Sequence, residues 1–322
     1  MSRARRRGRN PNRWTWLRGS FWAASVLLAH CGCARAPEGP WLVQPEAPAL
    51  RVEPAPTPPP EGSWNPRLVL EPGSEQAATI RASWTIRQRG PEVAATPFTV
   101  DEALDVQVRV LDRSEQGSVL RVQVTDAEVG VDPPLEVLQE DLRDARLADA
   151  LQVALDPGGR IVRATPQPRR SEPAVRARDS DLAGYLKRLW PTWPDHPVQV
   201  ADTWQFEAVW ERVSGSGLEY RSSGFGRYRF RGLSVLDGRA VAVLDLDYDV
   251  TVTGHGDRSV RVRGTGVGRG VFLVDAETAQ VVQAEVVESV HSVVEWPARR
   301  RTLKAEQLTR GVFEWVAVAG GD

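Results

Sequence analysis

Cys31 and Cys33, three scattered histidines and a row of alternating aspartates are the residues whose types and spacing could do chemistry in this chain. The two cysteines lie one residue apart and nothing after them carries a thiol. That excludes a disulfide, a cysteine-built zinc site and a cysteine nucleophile from everything downstream. His196, His255 and His291 fall in a proline-flanked loop, a hairpin tip and a strand, with no ligand spacing among them. Asp245, Asp247 and Asp249 could suggest calcium. A calcium loop, however, turns to gather oxygens around one ion, whereas a strand sets alternate residues about 6.8 Å apart. They read instead as a solvent-facing row paired with arginines. Gly264, Gly266, Gly268 and Gly270 resemble a nucleotide loop only superficially, because they alternate inside a strand. Such a pattern points to strong coiling or to close approach by a helix or ligand. Ser214-Gly215-Ser216-Gly217 reads as a flexible hairpin loop, since no helix follows it to form a phosphate cradle. No Gly-x-Ser-x-Gly elbow, His-Glu-x-x-His pair or P-loop occurs. No catalytic residue, metal or cofactor is expected, and the chain does not read as an enzyme.

Aromatic residues offer the one binding signal. Trp190, Trp193, Trp204 and Trp210 flank a helix-to-strand junction. They could line a ligand site on a concave sheet, or simply cement the helix to it.

The elements that position these residues start with a leader. Arg3, Arg5, Arg6, Arg7, Arg9, Arg13 and Arg18 precede an apolar stretch from Gly19 to Ala29. Eleven residues reach only about 16 Å, too short for a hydrocarbon core of roughly 30 Å, so residues 1–33 read as an export signal. Leu28-Ala29-His30-Cys31 resembles the lipobox of bacterial lipoproteins, with His30 where Gly or Ala is usual. Cys33 has the expected Gly32 before it but lacks the leucine further back. The resemblance implies lipidation at Cys31, or alternatively at Cys33, and anchorage by several acyl chains. The alternative is an ordinary cleaved signal that releases a soluble periplasmic protein. No Asp follows either cysteine, which by the sorting habit of Gram-negative lipoproteins implies the outer membrane.

Residues 34–70 read as a tether. Ten prolines lie between Ala36 and Pro66, including Pro58-Pro59-Pro60, and proline cannot donate to a sheet. The stretch is expected to act as an extended spacer of about 3 Å per residue, contributing nothing to the fold up to about Ser63. Charge is balanced, 41 basic against 42 acidic residues, so no nucleic-acid partner is expected.

From residue 71 to 322 the pattern is period-two alternation, as in Val106, Val108 and Val110 against Gln107 and Arg109. Long strands are expected near 203–213, 220–236, 240–253, 257–274, 279–296 and 301–316. The tight links between them require antiparallel pairing. Two helices interrupt the strands. One opens at Asp132 and Pro133 and aligns Leu135, Leu138, Leu142 and Ala145. The other starts near Ser180, aligns Leu182, Leu186, Leu189 and Trp190, and stops at Pro191. The expected fold is mainly β (α+β): a large curved antiparallel sheet or half-barrel with two short helices packed on it. An echo between residues 154–164 and 273–284 raises the option of two similar halves. With three-residue loops at 237–239 and 254–256, Arg227, Arg229 and Arg231 fall opposite Asp249, Asp247 and Asp245. Arg261 and Arg263 then face Asp249 and Asp247, leaving one charged face and one apolar face.

Pro197-Val198-Gln199-Val200-Ala201-Asp202-Thr203-Trp204 resembles an uncharacterised family of bacterial envelope lipoproteins carrying Pro-Val-x-Val-Gly-Asp-x-Trp, with Ala201 in place of Gly. The resemblance covers eight residues and implies an exported, non-enzymatic β domain without assigned site residues. The expected function is a membrane-anchored envelope lipoprotein that binds a lipid or other hydrophobic molecule in a curved sheet. The alternative is a structural or assembly protein of the envelope acting through a protein partner. Either would sit lipid-anchored in the cell envelope, at the outer membrane, facing the periplasm or the surface.

Overall fold

A computed structural model describes residues 48–50, 63–89, 97–167, 181–213, 219–256, 260–297 and 300–316. Cys31, Cys33 and the Ser214–Gly217 loop lie outside these residues. The elements in chain order are β1 (Ser63–Trp64), β2 (Glu75–Arg89), β3 (Phe98–Ser114), β4 (Gly117–Asp132), α1 (Glu136–Leu147), β5 (Ala150–Leu155), β6 (Ile161–Pro166) and α2 (Asp181–Leu189). They continue with β7 (Val198–Gln199), β8 (Thr203–Val213), β9 (Glu219–Leu236), β10 (Arg239–Gly256), β11 (Val260–Asp275), β12 (Val281–Trp296) and β13 (Arg301–Val316).

Eleven strands form one antiparallel sheet in the order β6-β5-β4-β3-β2-β13-β12-β11-β10-β9-β8, and β1 pairs separately with β7. Neighbours in sequence are neighbours in the sheet except at β2–β13, where the first and last long strands meet. The sheet curls into a half-barrel, as its alternation requires. Every second residue faces inward, and a single core draws on all eleven strands. One row runs across the inner face through Phe206, Gly226, Tyr248, Gly268, Glu288, Thr309, Trp84, Val100 and Val131. The alternating glycines of β11 face inward, and at Gly268 the reason is specific. A Cβ there would overlap the Tyr248 ring, which crosses β11 to reach Glu288 on β12.

Helix α1 starts at Glu136 rather than at Asp132, and Leu135 occupies the N-cap with no side-chain cap. Its position follows from the sheet. Strand β5 covers only Ser118–Gln123 of β4, and the helix shields the remaining edge, with Arg143 Nε donating to the Ala127 carbonyl at 3.0 Å. Helix α2 departs from the one-stripe expectation. Leu182, Ala183, Gly184, Tyr185 and Leu186 are all buried, so the helix lies inside the curl rather than on top of it. A helix covered on every side belongs in an interior.

The register differs from the expectation in a way that preserves the faces. The β9–β10 turn has two residues, Asp237 (φ 49°) and Gly238 (φ 78°), the left-handed pair of a type I′ turn. One extra residue, Arg231, then bulges from β9 between Phe230 and Gly232. Shortening the loop by one and adding a bulge restores the parity, so Arg229 and Arg227 pair with Asp245 and Asp247. Gly254-His255-Gly256 is strand, not turn; the reversal falls after it, and Asp247 meets Arg269 while Arg263 meets Thr253. The aspartates do face outward. Arg231 lies 3.6 Å from Asp245 and Arg269 lies 3.5 Å from Asp247. Partial burial raises the Asp245 pKa, although Arg231 pulls it the other way.

The folded region reaches further toward the N-terminus than residue 71. Trp64 is buried in the main core and donates Nε1–H to the Ala276 carbonyl at 2.9 Å, and Leu70 is buried too. Further upstream, Leu50 packs with Leu236 against Val243, Val271 and Leu273 on the outer face, and its N–H donates to Glu285 Oε2 at 2.8 Å. The tether therefore touches the domain well before Ser63.

The echoing segments form hairpins of like build. In each, an aspartate carboxylate accepts turn N–H groups, Asp156 from Arg160 and Asp275 from Glu277 and Thr278. Each turn also ends on a positive φ, at Gly159 (77°) and Ala279 (53°).

Candidate functional site

Of the four tryptophans, Trp190, Trp193 and Trp210 are buried and Trp204 is half-buried. Trp193 meets Trp64 edge to face at 5.8 Å between centroids, and its backbone N–H donates to Gly158. Trp204 stacks on Tyr228 at 5.5 Å and donates Nε1–H to the Thr192 carbonyl at 2.7 Å. Trp210 lies under the Arg188 guanidinium at 4.5 Å. These four side chains do not surround one cavity. They join α2 and the segment after it to β8 and to the β5–β6 turn.

The Pro197–Trp204 segment forms the turn into β8. Ala201 has φ of 76°, a left-handed conformation that glycine adopts with less strain than alanine. Asp202 accepts the Gln199 N–H at 2.7 Å, which closes the turn into β8. Ala201→Gly should therefore raise the stability of the domain by about 1 kcal/mol, read as a higher denaturation midpoint at unchanged slope. An unchanged or lower midpoint would show that the turn is not strained.

Trp190 lines an opening. The two edges of the sheet, β6 and β8, face each other across a slot of about 260 Å³ instead of bonding. Ile161 and Val162 form one wall, Phe206, Ala208 and Val209 the other, and Trp190 and Thr192 lie between. Arg160, Lys187 and Glu207 stand around it.

Two buried carboxylates on the inner face were not among the expected site residues. Glu102 on β3 accepts from Arg146 Nε of α1 at 2.7 Å and from the Tyr185 hydroxyl of α2 at 2.8 Å. Glu288 on β12 accepts from the Tyr248 hydroxyl at 3.0 Å and lies 3.4 Å from Arg188 of α2. Each carboxylate thus holds one arginine and one tyrosine, and α2 contributes to both sets. Burial lowers the Arg146 pKa, but the fields of Glu102, Tyr185 and Asp149 outweigh it and leave the guanidinium above its usual value. Burial, reinforced by the adjacent carboxylates, holds Tyr185 and Tyr248 far above the ordinary phenol range. Both pairs lock the interior helix in place and present no acid or base to solvent.

No protein-family model and no curated protein matches the chain. Among solved structures it is similar to an outer membrane channel from Pseudomonas putida F1, at 11% identity and a TM-score of 0.28, over 78% of this chain and 98% of that chain. So distant a likeness transfers nothing to this protein. The side chains speak on their own account. A membrane-spanning barrel is apolar outside and polar within. Here the outward rows carry Arg81, Arg227, Arg229, Asp245, Asp247, Arg269 and Arg310, and the inward rows carry the core.

Proposed function

We propose that this chain is a non-enzymatic envelope lipoprotein, anchored at the outer membrane through Cys31 or Cys33, whose domain binds the apolar chain of an anionic amphiphile. The observation that carries the binding reading is the unclosed seam between β6 and β8, walled by Ile161, Val162, Phe206 and Ala208 with Arg160 and Lys187 beside it. The lumen itself is occupied by α2, so a ligand is seated at the seam rather than within the curl. At about 260 Å³ the slot is small beside the roughly 300–1,000 Å³ of drug-sized sites, which suits one alkyl chain better than a ring system. The tether and the charged outer face support a soluble domain held off the bilayer.

A second reading, an assembly protein acting through a protein partner, draws support from Phe225 and Val267. They flank Asp249 on the outer face and are 59% and 44% exposed.

One double variant tests the proposal. Cys31→Ser with Cys33→Ser should leave the membrane fraction and lose labelling by a fatty-acid probe. Purified in that anchor-free form, it should carry a non-covalent amphiphile visible by native mass spectrometry. Val162→Glu should then remove the amphiphile, because it places an anion on a slot wall that is 60% exposed and tolerant of charge. Membrane retention of unlabelled wild type would refute the anchor, and an empty double variant would refute the slot.

A further inference from the structure

The outer face of β9, β10 and β11 carries one row in which an aspartate of β10 lies between two arginines. Asp247 stands opposite Arg227 on β9 and Arg269 on β11, and Asp245 stands opposite Arg229. Six residues beyond Asp247 on the same strand, the outward residue is Thr253, and again an arginine stands directly opposite on each side, Arg221 on β9 and Arg263 on β11. The arginines of the pattern are present and the carboxylate is not. In the next row His255 lies opposite Arg261.

Two acids also stand in this region. Glu211 pairs with Arg221 at 4.0 Å, and Glu219 lies 3.6 Å from His255, both pairs being solvent-exposed. Among the described residues Arg261 and Arg263 make no ion pair. Arg221, Arg261, Arg263, Thr253 and His255 line an open groove of about 540 Å³, with Glu211 and Glu219 also on its wall.

We infer that this groove is an anion site, seating a phosphate group over Thr253 where the matching Arg227–Asp247–Arg269 row has its carboxylate. Strands about 4.8 Å apart place Arg221 and Arg263 roughly 10 Å apart across Thr253, within the reach of two guanidinium forks that converge on one tetrahedral anion. Each fork can give two parallel N–H bonds to phosphate oxygens, and the Thr253 hydroxyl gives a third kind of donor. Glu211 and Glu219 temper the field, so binding is salt-sensitive and modest. The site lies on the outer face, distinct from the seam, and does not depend on the amphiphile reading. The phosphate is either free or the headgroup of a phospholipid.

The experiment measures binding of inorganic phosphate to the full chain in detergent by calorimetry. In parallel, the full chain with Cys31→Ser and Cys33→Ser is floated on phosphatidylglycerol or phosphatidylcholine vesicles. Thr253→Asp is the decisive variant, because it completes the Arg–Asp–Arg row and leaves the fold intact. It should weaken binding at least tenfold with no fall in melting temperature, and Arg263→Ala should weaken it likewise, whereas Thr253→Ser retains it. Binding to phosphate and vesicles alike assigns the bare anion, and binding to phosphatidylglycerol vesicles alone assigns the headgroup. The proposal fails if neither probe binds or if Thr253→Asp binds as wild type does. Val162→Glu leaves this binding unchanged, which separates the groove from the seam.

Discussion

Glu102→Ala is expected to cost about 3–5 kcal/mol of folding stability, measured by urea unfolding of the whole domain. The substitution removes the carboxylate that accepts from the buried Arg146 Nε, and it takes the same acceptor from the Tyr185 hydroxyl. Stranding a buried cation is the costly half of such a pair, because burial has already removed its water. The companion variant, Glu102→Leu with Arg146→Met, should recover most of the loss and return to within about 1 kcal/mol of wild type. A cost below about 1 kcal/mol for Glu102→Ala would mean that water reaches Arg146 and the interior is not dry.

The second large effect is alkaline. All four tyrosines are buried, and burial raises the pKa of Tyr185, Tyr228 and Tyr248 in the folded protein. In the unfolded chain the same phenols ionise near pH 10. Above that pH the unfolded state binds fewer protons than the native one, so stability falls as pH rises. Below it both states are protonated and the three groups contribute no pH dependence. Each phenol contributes a slope of about 1.4 kcal/mol per pH unit, about 4 for the three together, enough to unfold a typical domain within about two to three units. The expected result is a cooperative transition above about pH 10 in which tyrosinate absorbance and loss of sheet signal coincide. Tyr248→Phe should lessen the slope by about one third. Full tyrosinate absorbance at intact fold would sink the account.

The strands were legible because their alternation is long and clean; β8, β12 and β13 begin and end close to where apolar residues alternate with polar ones. Register was not legible. A single bulge at Arg231 and a reversal that waits until after Gly256 move every cross-strand partner, and neither leaves a mark in hydropathy. Face sorting survived because loop and bulge each shift by one residue. The anchors of the interior were missed for a different reason. Glu102 sits in phase with Val100 and Leu104, and Glu288 with Val286 and Val290, so each is an acid on the apolar phase of its strand. That phase error was the available signal, and it points to an arginine arriving from elsewhere in the chain. Helix α2 was read as one-sided because Ala183 and Gly184 add little to a hydrophobic stripe, although their small size is what lets the helix sit inside. The seam could not be foreseen, since it depends on which strands end up as edges.

The pairing of β2 with β13 gives the order of assembly a direction. Ala77 meets Val316 across nearly the whole domain, while every other contact in the sheet joins strands adjacent in the chain. Strands β2–β6 and β8–β12 can each zip as a local meander, but they remain two open sheets until the final strand arrives. Until then the edge of β2 is an unpaired template for any passing strand. Loss of β13 through a premature stop would therefore not trim an end; it would divide the molecule into two aggregation-prone halves sharing one unfilled gap.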